Sequence, residues 1–395
     1  MTRETAYESV IGLEVHIQLN TLSKAFCGDD ASYGGAPNSH ISAISLAYPG
    51  TLPRPNQQQI ERAIKLGLAL GCRINSKSWF DRKHYFYADL PKGFQTTQDT
   101  APICIGGEVT IENLDGGPRT IRIHHIHMEE DAGKNIHDGK LSASLIDLNR
   151  AGVPLLEIVS EPDIRTPQQA SAYLKTLRQL LRYLGICDGN MEQGSMRCDA
   201  NVSVRPTGQN EFGERTEIKN INSFRFVEQA IEVEIERQIE VLESGGKIER
   251  ETRLYDSDRN ETRSMRSKEF SEDYRYFPDP DLLPLQISQA FVDQIAADLP
   301  ELPKARRARY IDSLGLSEYD ANWLSTDPYI AEYFDASLAV SGNAKSTANW
   351  IMGDLSSHMN TNEIEITESP VTPAQLGTLI QRIDDDTLSS KTAKQ

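Results

Sequence analysis

A carboxylate and an imidazole stand two residues apart in the run VIGLEVHIQL, residues 10–19. Strand alternation puts Leu13, Val15, Ile17 and Leu19 on one face, and Glu14, His16 and Gln18 on the other. Along such a strand Glu14 and His16 are about 7 Å apart and point the same way. An oxygen donor beside an imidazole suits a divalent metal, provided other segments add ligands.

Three segments carry candidates. In HIHMEEDAGK, residues 125–134, the adjacent Glu129 and Glu130 close a strand before a Gly. In LLEIVSEPD, residues 155–163, Glu157 projects from a run of Leu, Ile and Val, with Glu161 on the same face. In WFDRKHYFY, residues 79–87, Arg82 and Lys83 sit among aromatics. A carboxylate in an apolar strand is costly unless paired, hydrogen-bonded or metal-bound. Each has a plainer reading alone: Glu157 and Glu14 as solvated strand residues, His16 as a hydrogen-bonded structural histidine, Glu129–Glu130 as a charged loop. Asp199 could be a cross-strand partner of Arg197 or Arg205. Alternation does not choose between Glu129 and Glu130. Together they form an oxygen-rich set with one nitrogen, which suits Mg²⁺ or Mn²⁺. Carboxylates, Mg²⁺ and a lone lysine are the parts of a phosphoryl-transfer site. The sequence has neither a GxxxxGK[ST] loop nor a GxGxxG cradle, so a metal-rich sheet would have to hold any ATP.

The elements that must position these residues are legible. A helix is predicted over 56–70, with Asn56 as N-cap and Gly71 as stop. Strands are expected over 74–79, 108–111, 119–127 and 155–160. Thr166 and Pro167 open a second helix that ends at Gly185. Residues 197–205 alternate, with Arg197, Asp199, Asn201 and Ser203 on one face. Ser223 caps a long helix with an apolar stripe of Val227, Ile231, Ile235 and Leu242. Strand and loop follow over 250–280. From about 288 short helices dominate, broken by Pro300, Pro303, Pro328 and Pro373, so a domain boundary is placed near 290.

Composition narrows the classes. The 395 residues suffice for two or three domains. Net charge is −17, which argues against a broad nucleic-acid surface but suits a site that gathers cations. Mean hydropathy is −0.48, and no apolar run approaches a membrane span. The polar N-terminus reads as neither signal nor transit peptide, which leads to an expected cytoplasmic location. The five cysteines are scattered without a CxxC pair, as in a reducing compartment.

In order along the chain, GLEVHIQL, PNSHISAISLAYPGTLP, FDRKHYFYADLPKGFQ, HMEEDAGK, DLNRAGVPLLEIVSEPD, MRCDANVSVRP, EIKNINSF and DYRYFPDPDLLP closely resemble the B-subunit family of bacterial tRNA-dependent amidotransferases. The resemblance runs from Tyr7 to the last residue. It implies an α+β fold: a glutamine-synthetase-like cradle sheet with helices over 1–290, followed by a helical domain over 291–395. It also implies an activity. Misacylated Glu-tRNA(Gln) or Asp-tRNA(Asn) would be phosphorylated on its side-chain carboxylate by ATP with Mg²⁺, and ammonia would displace the phosphate. The ammonia would come from a glutaminase A subunit, with a small C subunit completing a heterotrimer. Carried over residue by residue, the resemblance makes Glu14, His16, Glu130 and Glu157 the metal ligands and so selects Glu130. Lys83 becomes the phosphate-contacting lysine. Lys83, Glu157 and Asp199 are then the expected catalytic groups, with Arg82, Glu217 and Lys219 beside Lys83 for ATP or substrate.

Two departures stand out. Many members carry four cysteines that bind a structural zinc; the corresponding positions here are Cys27, Asp29, Ser42 and Ser45, so no structural zinc is expected. The chain stops at SSKTAKQ, where the family continues into a helical tail that touches tRNA, so weaker tRNA affinity is expected. There is no room between Pro278 and Pro300 for the synthetase-like insertion of the archaeal relative. The competing readings are a non-catalytic tRNA-binding scaffold and a glutamine-synthetase-type ligase acting on a small acid.

Overall fold

The computed structural model describes residues 6–113, 117–137, 143–267 and 271–394. It divides into two compact units, Met1–Leu299 and Pro300–Gln395. The first is mixed α/β and built on one large sheet; the second is helical.

Ten strands form that sheet among the described residues. In chain order they are β1 (Tyr7–Gln18), β2 (Arg73–Ile74), β3 (Cys104–Ile105), β4 (Glu108–Asn113), β5 (Gly117–Glu130), β6 (Pro154–Ser160), β7 (Met196–Pro206), β8 (Thr216–Ile221), β9 (Glu251–Asp256) and β10 (Glu261–Ser267). Their spatial order is β10-β9-β8-β7-β1-β6-β5-β3-β2, with β4 also paired to β5. All neighbours are antiparallel except β8 and β9, which run parallel on either side of a helix, α3 (Phe224–Glu243). Strand β1 lies in the middle, with His16 opposite Glu157 of β6 and opposite Arg197 of β7.

Alternation sorts the two faces of this sheet. Leu13, Val15 and Ile17 are at most 1% exposed, and so are Leu156, Ile158, Ile126 and Met128 on the neighbouring strands. Burying each such side chain contributes about 2 kcal/mol. Helix α2 (Pro167–Tyr183) packs on α3 and β4, and α3 packs on β7 and β8. Tyr173, Leu174, Leu177 and Leu181 of α2 and Val227, Ala230 and Ile231 of α3 are fully buried. Helix α1 (Gln57–Ala69) packs against β3, β5 and β6. The Asn56, Thr166 and Ser223 side chains each accept a hydrogen bond from a first-turn backbone N–H, as their caps predict.

Two elements differ from the sequence reading. The strand expected over 74–79 is broken, because Asn75 N–H donates to the Ile103 carbonyl and Ser76 accepts from Ile287 N–H. Its second half, Lys77–Ser78, pairs with Leu285–Gln286 instead of the large sheet. The buried stripe of α3 also runs differently, through Val227, Ala230, Ile231, Glu234, Gln238 and Ile239 rather than Ile235 and Leu242. Glu234 is 0% exposed, with Arg237 donating at 2.6 and 2.9 Å and Gln238 and Thr262 at 2.9 and 2.8 Å. Within the 250–280 stretch, residues 268–270 lie outside the described residues.

Candidate active site on the polar face of the sheet

The face opposite the apolar layer collects the acidic candidates, and the structure sorts them into two groups. In the first, His16 Nε2 lies 3.3 Å from Glu157 and 3.6 Å from Glu129. His127 Nε2 reaches the same two carboxylates at 3.2 and 3.7 Å. In the second, oxygens of Glu14, Asp199 and Glu217 come within 4.8 Å of one another. There Lys219 Nζ bridges Asp199 at 2.5 Å and Glu217 at 3.3 Å. Asn201 Nδ2 donates to Glu14 at 2.9 Å, while its buried Oδ1 has no partner among the described residues.

Glu14 and His16 therefore do not meet in one ligand set. Residues i and i+2 share a strand face, but about 7 Å of rise separates them, too far for two ligands of one ion without help. The two groups are neighbours along β1.

Glu130 is likewise not with His16. Alternate residues of β5 point to opposite sides, so Glu129 shares the side of His125 and His127, and Glu130 the side of Ile126 and Met128. Glu130 instead pairs with Lys92 and accepts from the Thr96 N–H at 2.9 Å, on the wall of a separate cavity of about 230 Å³. Arg82 lines that second cavity too. Its guanidinium donates to Asp279 at 3.0 and 3.2 Å and to Asp281 at 2.9 Å, and lies 4.2 Å from the centre of the Phe94 ring. The neighbouring Lys83 points the other way, with its ammonium 4.8 Å from the Tyr274 ring. Burial alone would lower the Lys83 pKa, but Tyr276, Glu129 and Glu157 raise it and keep the ammonium charged.

Sequence reading leaves Glu129 open beside Glu130, names Arg197 and Asn201 only as strand-face residues, and gives His127 no role. The signal for Glu129 was its parity with His125 and His127 against the apolar Ile126 and Met128. Arg197, opposite His16, donates to Asp131 at 2.9 Å, and Gln18 donates to the same carboxylate at 2.7 Å. A long-range partner such as Asp131 leaves no local pattern.

Both groups fit a divalent cation. Each offers three oxygen or imidazole donors within 4.8 Å, a hard donor set, and the orphaned carbonyl oxygen of Asn201 adds a further oxygen beside the second. Without a cation, protons supply the balancing charge in the first. Burial alone would hold His16 and His127 neutral, but Glu157 and Glu129 carry them up to about 9 and about 10. Glu157 would be raised by burial, yet His16 and His127 hold it well below the usual carboxylate range. A raised histidine stabilises the metal-free fold fully below pH 6.5, and that contribution is lost as the pH climbs through about 9 to 10. The Glu157 contribution has the opposite sign: present above pH 4.5, lost in acid. A cation entering this group must displace the protons. Mg²⁺ affinity is therefore expected to rise with pH between about 7 and 10, and calorimetry in two buffers of different ionisation enthalpy should count protons released on binding.

The four positions that the resemblance matches to a zinc-cysteine set, Cys27, Asp29, Ser42 and Ser45, also lie together. Ser45 donates to Asp29, and Cys27 Sγ lies 3.6 Å from Ser45 Oγ. Burial would raise the Asp29 pKa, but hydrogen bonds from Ser45, Ser42 and Cys27 outweigh it and lower it. This set of one thiol, one carboxylate and two hydroxyls is tied to itself by hydrogen bonds and is unlike the sulfur- and nitrogen-rich shell that zinc takes in structural sites.

The placement of Glu129 and Glu130 gives a paired prediction. Glu129→Gln should lower Mg²⁺ affinity by at least about tenfold, since even residues behind the ligands are worth that much. Glu130→Gln should leave Mg²⁺ affinity unchanged and cost stability through loss of its Lys92 pair. Calorimetric Mg²⁺ titration and urea midpoints of the two variants decide between them.

Fold and site together define a mixed α/β protein whose central sheet presents two cation-ready groups, the first of them beside the charged Lys83. Residues 9–293 match the family model described as the GatB/GatE catalytic domain, and residues 332–395 match one described as the GatB domain. The chain belongs to the GatB/GatE family. It is 54% identical over 388 residues to the B subunit of the aspartyl/glutamyl-tRNA(Asn/Gln) amidotransferase of Hahella chejuensis, covering 98% of this chain and 81% of that protein. The relatives of the same name from Hydrogenovibrio crunogenus and Geobacter sulfurreducens are each 56% identical, over 390 and 391 residues. Each alignment covers 98% of this chain, and 82% and 81% of the relative.

Proposed function

We propose that this chain is the kinase and transamidase subunit of a glutamine-hydrolysing aminoacyl-tRNA amidotransferase, a carbon–nitrogen ligase. Its reaction is ATP-dependent phosphorylation of the side-chain carboxylate of misacylated Glu-tRNA(Gln), Asp-tRNA(Asn) or both, followed by amidation with ammonia. The observation that carries this reading is the convergence of the His16–Glu129–Glu157 group with Lys83, next along the strand to the Glu14–Asp199–Glu217 group, in a chain more than half identical to relatives named for that reaction.

The chemistry follows from charge. A carboxylate attacking ATP meets repulsion of about 4 kcal/mol per charge pair at 4 Å and an effective dielectric of 20. Lys83, kept charged by the surrounding carboxylates, offsets part of that and stabilises charge moving to the leaving group. Mg²⁺ held by the two acidic groups would neutralise the phosphate oxygens. Lys219 balances the Asp199 and Glu217 carboxylates and orients them. Ammonia then attacks the carbonyl carbon of the acyl phosphate. The carbon–oxygen bond to phosphate breaks, phosphate leaves with one oxygen of the original carboxylate, and nitrogen loses a proton.

The sheet would act as a cradle similar to that of glutamine synthetase, over 1–290, with a helical domain over 291–395. Cys27 is hydrogen-bonded to Ser45 rather than to a histidine, which fits ammonia delivered by a partner glutaminase A subunit within a complex that includes a small C subunit. Among the described residues no helix is long and apolar enough to cross a membrane, which agrees with work on tRNA in the cytoplasm.

Reconstitution with A and C subunits, assayed with both misacylated tRNAs, ATP and glutamine, tests this reading. Formation of Gln-tRNA(Gln) or Asn-tRNA(Asn) with matching ADP release is expected. Amidation that proceeds without ATP, or no amidation of either tRNA, would overturn it.

A further inference from the structure

Arg197 lies in one row of the sheet with the first acidic group. It stands opposite His16, which on its other side stands opposite Glu157. Directly paired residues share a sheet face, so the arginine rises from the polar face with them. One strand-step along the same face of β7 is Asp199 of the second group.

Only one nitrogen of this guanidinium is engaged. Nη2 donates to Asp131 at 2.9 Å, and among the described residues neither Nε nor Nη1 donates to any acceptor. Asp131 is 4% exposed and is itself held in place, accepting from Gln18 at 2.7 Å with Arg150 Nε 3.6 Å away. Nε is covered, yet the Arg197 side chain is 37% exposed, so the open donors lie at its outer end. Burial alone would lower the Arg197 pKa, but Asp131, Glu129 and Asp199 raise it and hold the charge. Glu129 and Asp199 belong to different acidic groups, so one anchored cation is in electrostatic reach of both.

The other cations of this face are committed. Lys219 bridges Asp199 and Glu217. His16 and His127 face Glu157 and Glu129. Lys83 serves the phosphate in the function proposed above. A further carboxylate entering among these acids is repelled, and it needs a cation with donors to spare. A planar guanidinium matches a planar carboxylate and keeps its charge throughout the working pH range.

We infer that Arg197 sets specificity for an acid: its guanidinium binds the side-chain carboxylate of the glutamyl or aspartyl group carried by tRNA. The inference rests on the function proposed above. One carboxylate oxygen attacks the γ-phosphorus of ATP, and ADP leaves. The other oxygen, held by Arg197, becomes the carbonyl oxygen of the acyl phosphate. Ammonia then bonds to the carbon, and that oxygen takes up the electron pair, where the N–H donors stabilise it. The carbonyl re-forms as phosphate departs and nitrogen loses a proton. The amide product offers the guanidinium no charge, so it is held less tightly than the substrate.

The test is equilibrium binding to the reconstituted complex, without ATP or glutamine, of misacylated tRNA and of the same tRNA carrying the amide. Wild type is expected to favour the misacylated form by on the order of tenfold. Arg197→Gln can still donate to Asp131, and it is expected to abolish the preference by weakening the misacylated form alone. A packing role would weaken both forms equally. Arg197→Lys restores a cation and is expected to recover part of the preference. In turnover Arg197→Gln should lower kcat/KM for misacylated tRNA by about a hundredfold, with the KM for ATP unchanged. Equal binding of the two forms by wild type overturns the inference, whether or not the variants fold. So does a preference that survives in Arg197→Gln; a raised KM for ATP beside it would assign the guanidinium to phosphate. A wild-type complex that shows the preference but forms no amide sinks the proposed function and leaves Arg197 as a carboxylate-binding residue.

Discussion

Glu157→Gln is expected to cut tRNA-dependent ADP formation by roughly a thousandfold, the upper end of what a single charge-stabilising group supplies. Glu157 lies within 3.3 Å of both His16 and His127, so it holds two imidazoles and one ligand position together. Glutamine keeps the shape and removes the charge. Without that charge the two imidazoles lose the larger part of what raises them, leaving Glu129 alone beside both, and burial lowers their pKa values. Mg²⁺ binding should weaken in parallel, while the fold persists on its apolar face, where Leu156 and Ile158 are untouched. ADP release measured with misacylated tRNA, alongside a thermal midpoint, checks both halves. Unchanged ADP release would support a scaffold that only positions tRNA.

Lys83→Met is the second large effect, expected to lower kcat by about a hundredfold or more with a smaller change in the KM for ATP. The ammonium acts most on charge that develops during phosphoryl transfer, so its loss falls on the chemical step. Lys83→Arg should not restore the rate, because a planar fork does not replace a compact point charge facing Glu129 and Glu157. Steady-state kinetics on the two variants distinguishes this from a packing role, in which Met, of similar length, would be tolerated.

How much of this was legible before the structure depends on whether a signal was local. Strand β1, helices α1 to α3 and their caps are local patterns, and alternation or a capping residue states them. Glu14, His16 and Glu157 were recognisable because each carboxylate or imidazole interrupts an apolar alternation. The grouping was not legible. Which carboxylate meets which imidazole depends on strand order, and β1 sits between β6 and β7 although some 140 to 190 residues intervene. Resemblance selected Glu130, but the parity of β5 favours Glu129. Arg82 and Lys83, neighbours in sequence, end on opposite sides of one short strand, Asp81–His84. Glu234 was missed in the core of α3 because burial there depends on arginines from two elements, one of them on β9. The aromatic run around Lys83 was visible in the sequence, but the recess that it lines also needs Tyr274 and Arg275 from far along the chain.

In the proposed reaction a carboxylate oxygen of the tRNA-borne amino acid attacks the γ-phosphorus of ATP on this chain. Isotope transfer tests that step most directly. Misacylated tRNA carrying ¹⁸O in the side-chain carboxylate is turned over by the reconstituted complex with ATP and glutamine, and the released phosphate is analysed by mass spectrometry. One ¹⁸O is predicted in each phosphate formed from fully labelled carboxylate. Phosphate free of ¹⁸O alongside normal amidation would contradict the mechanism.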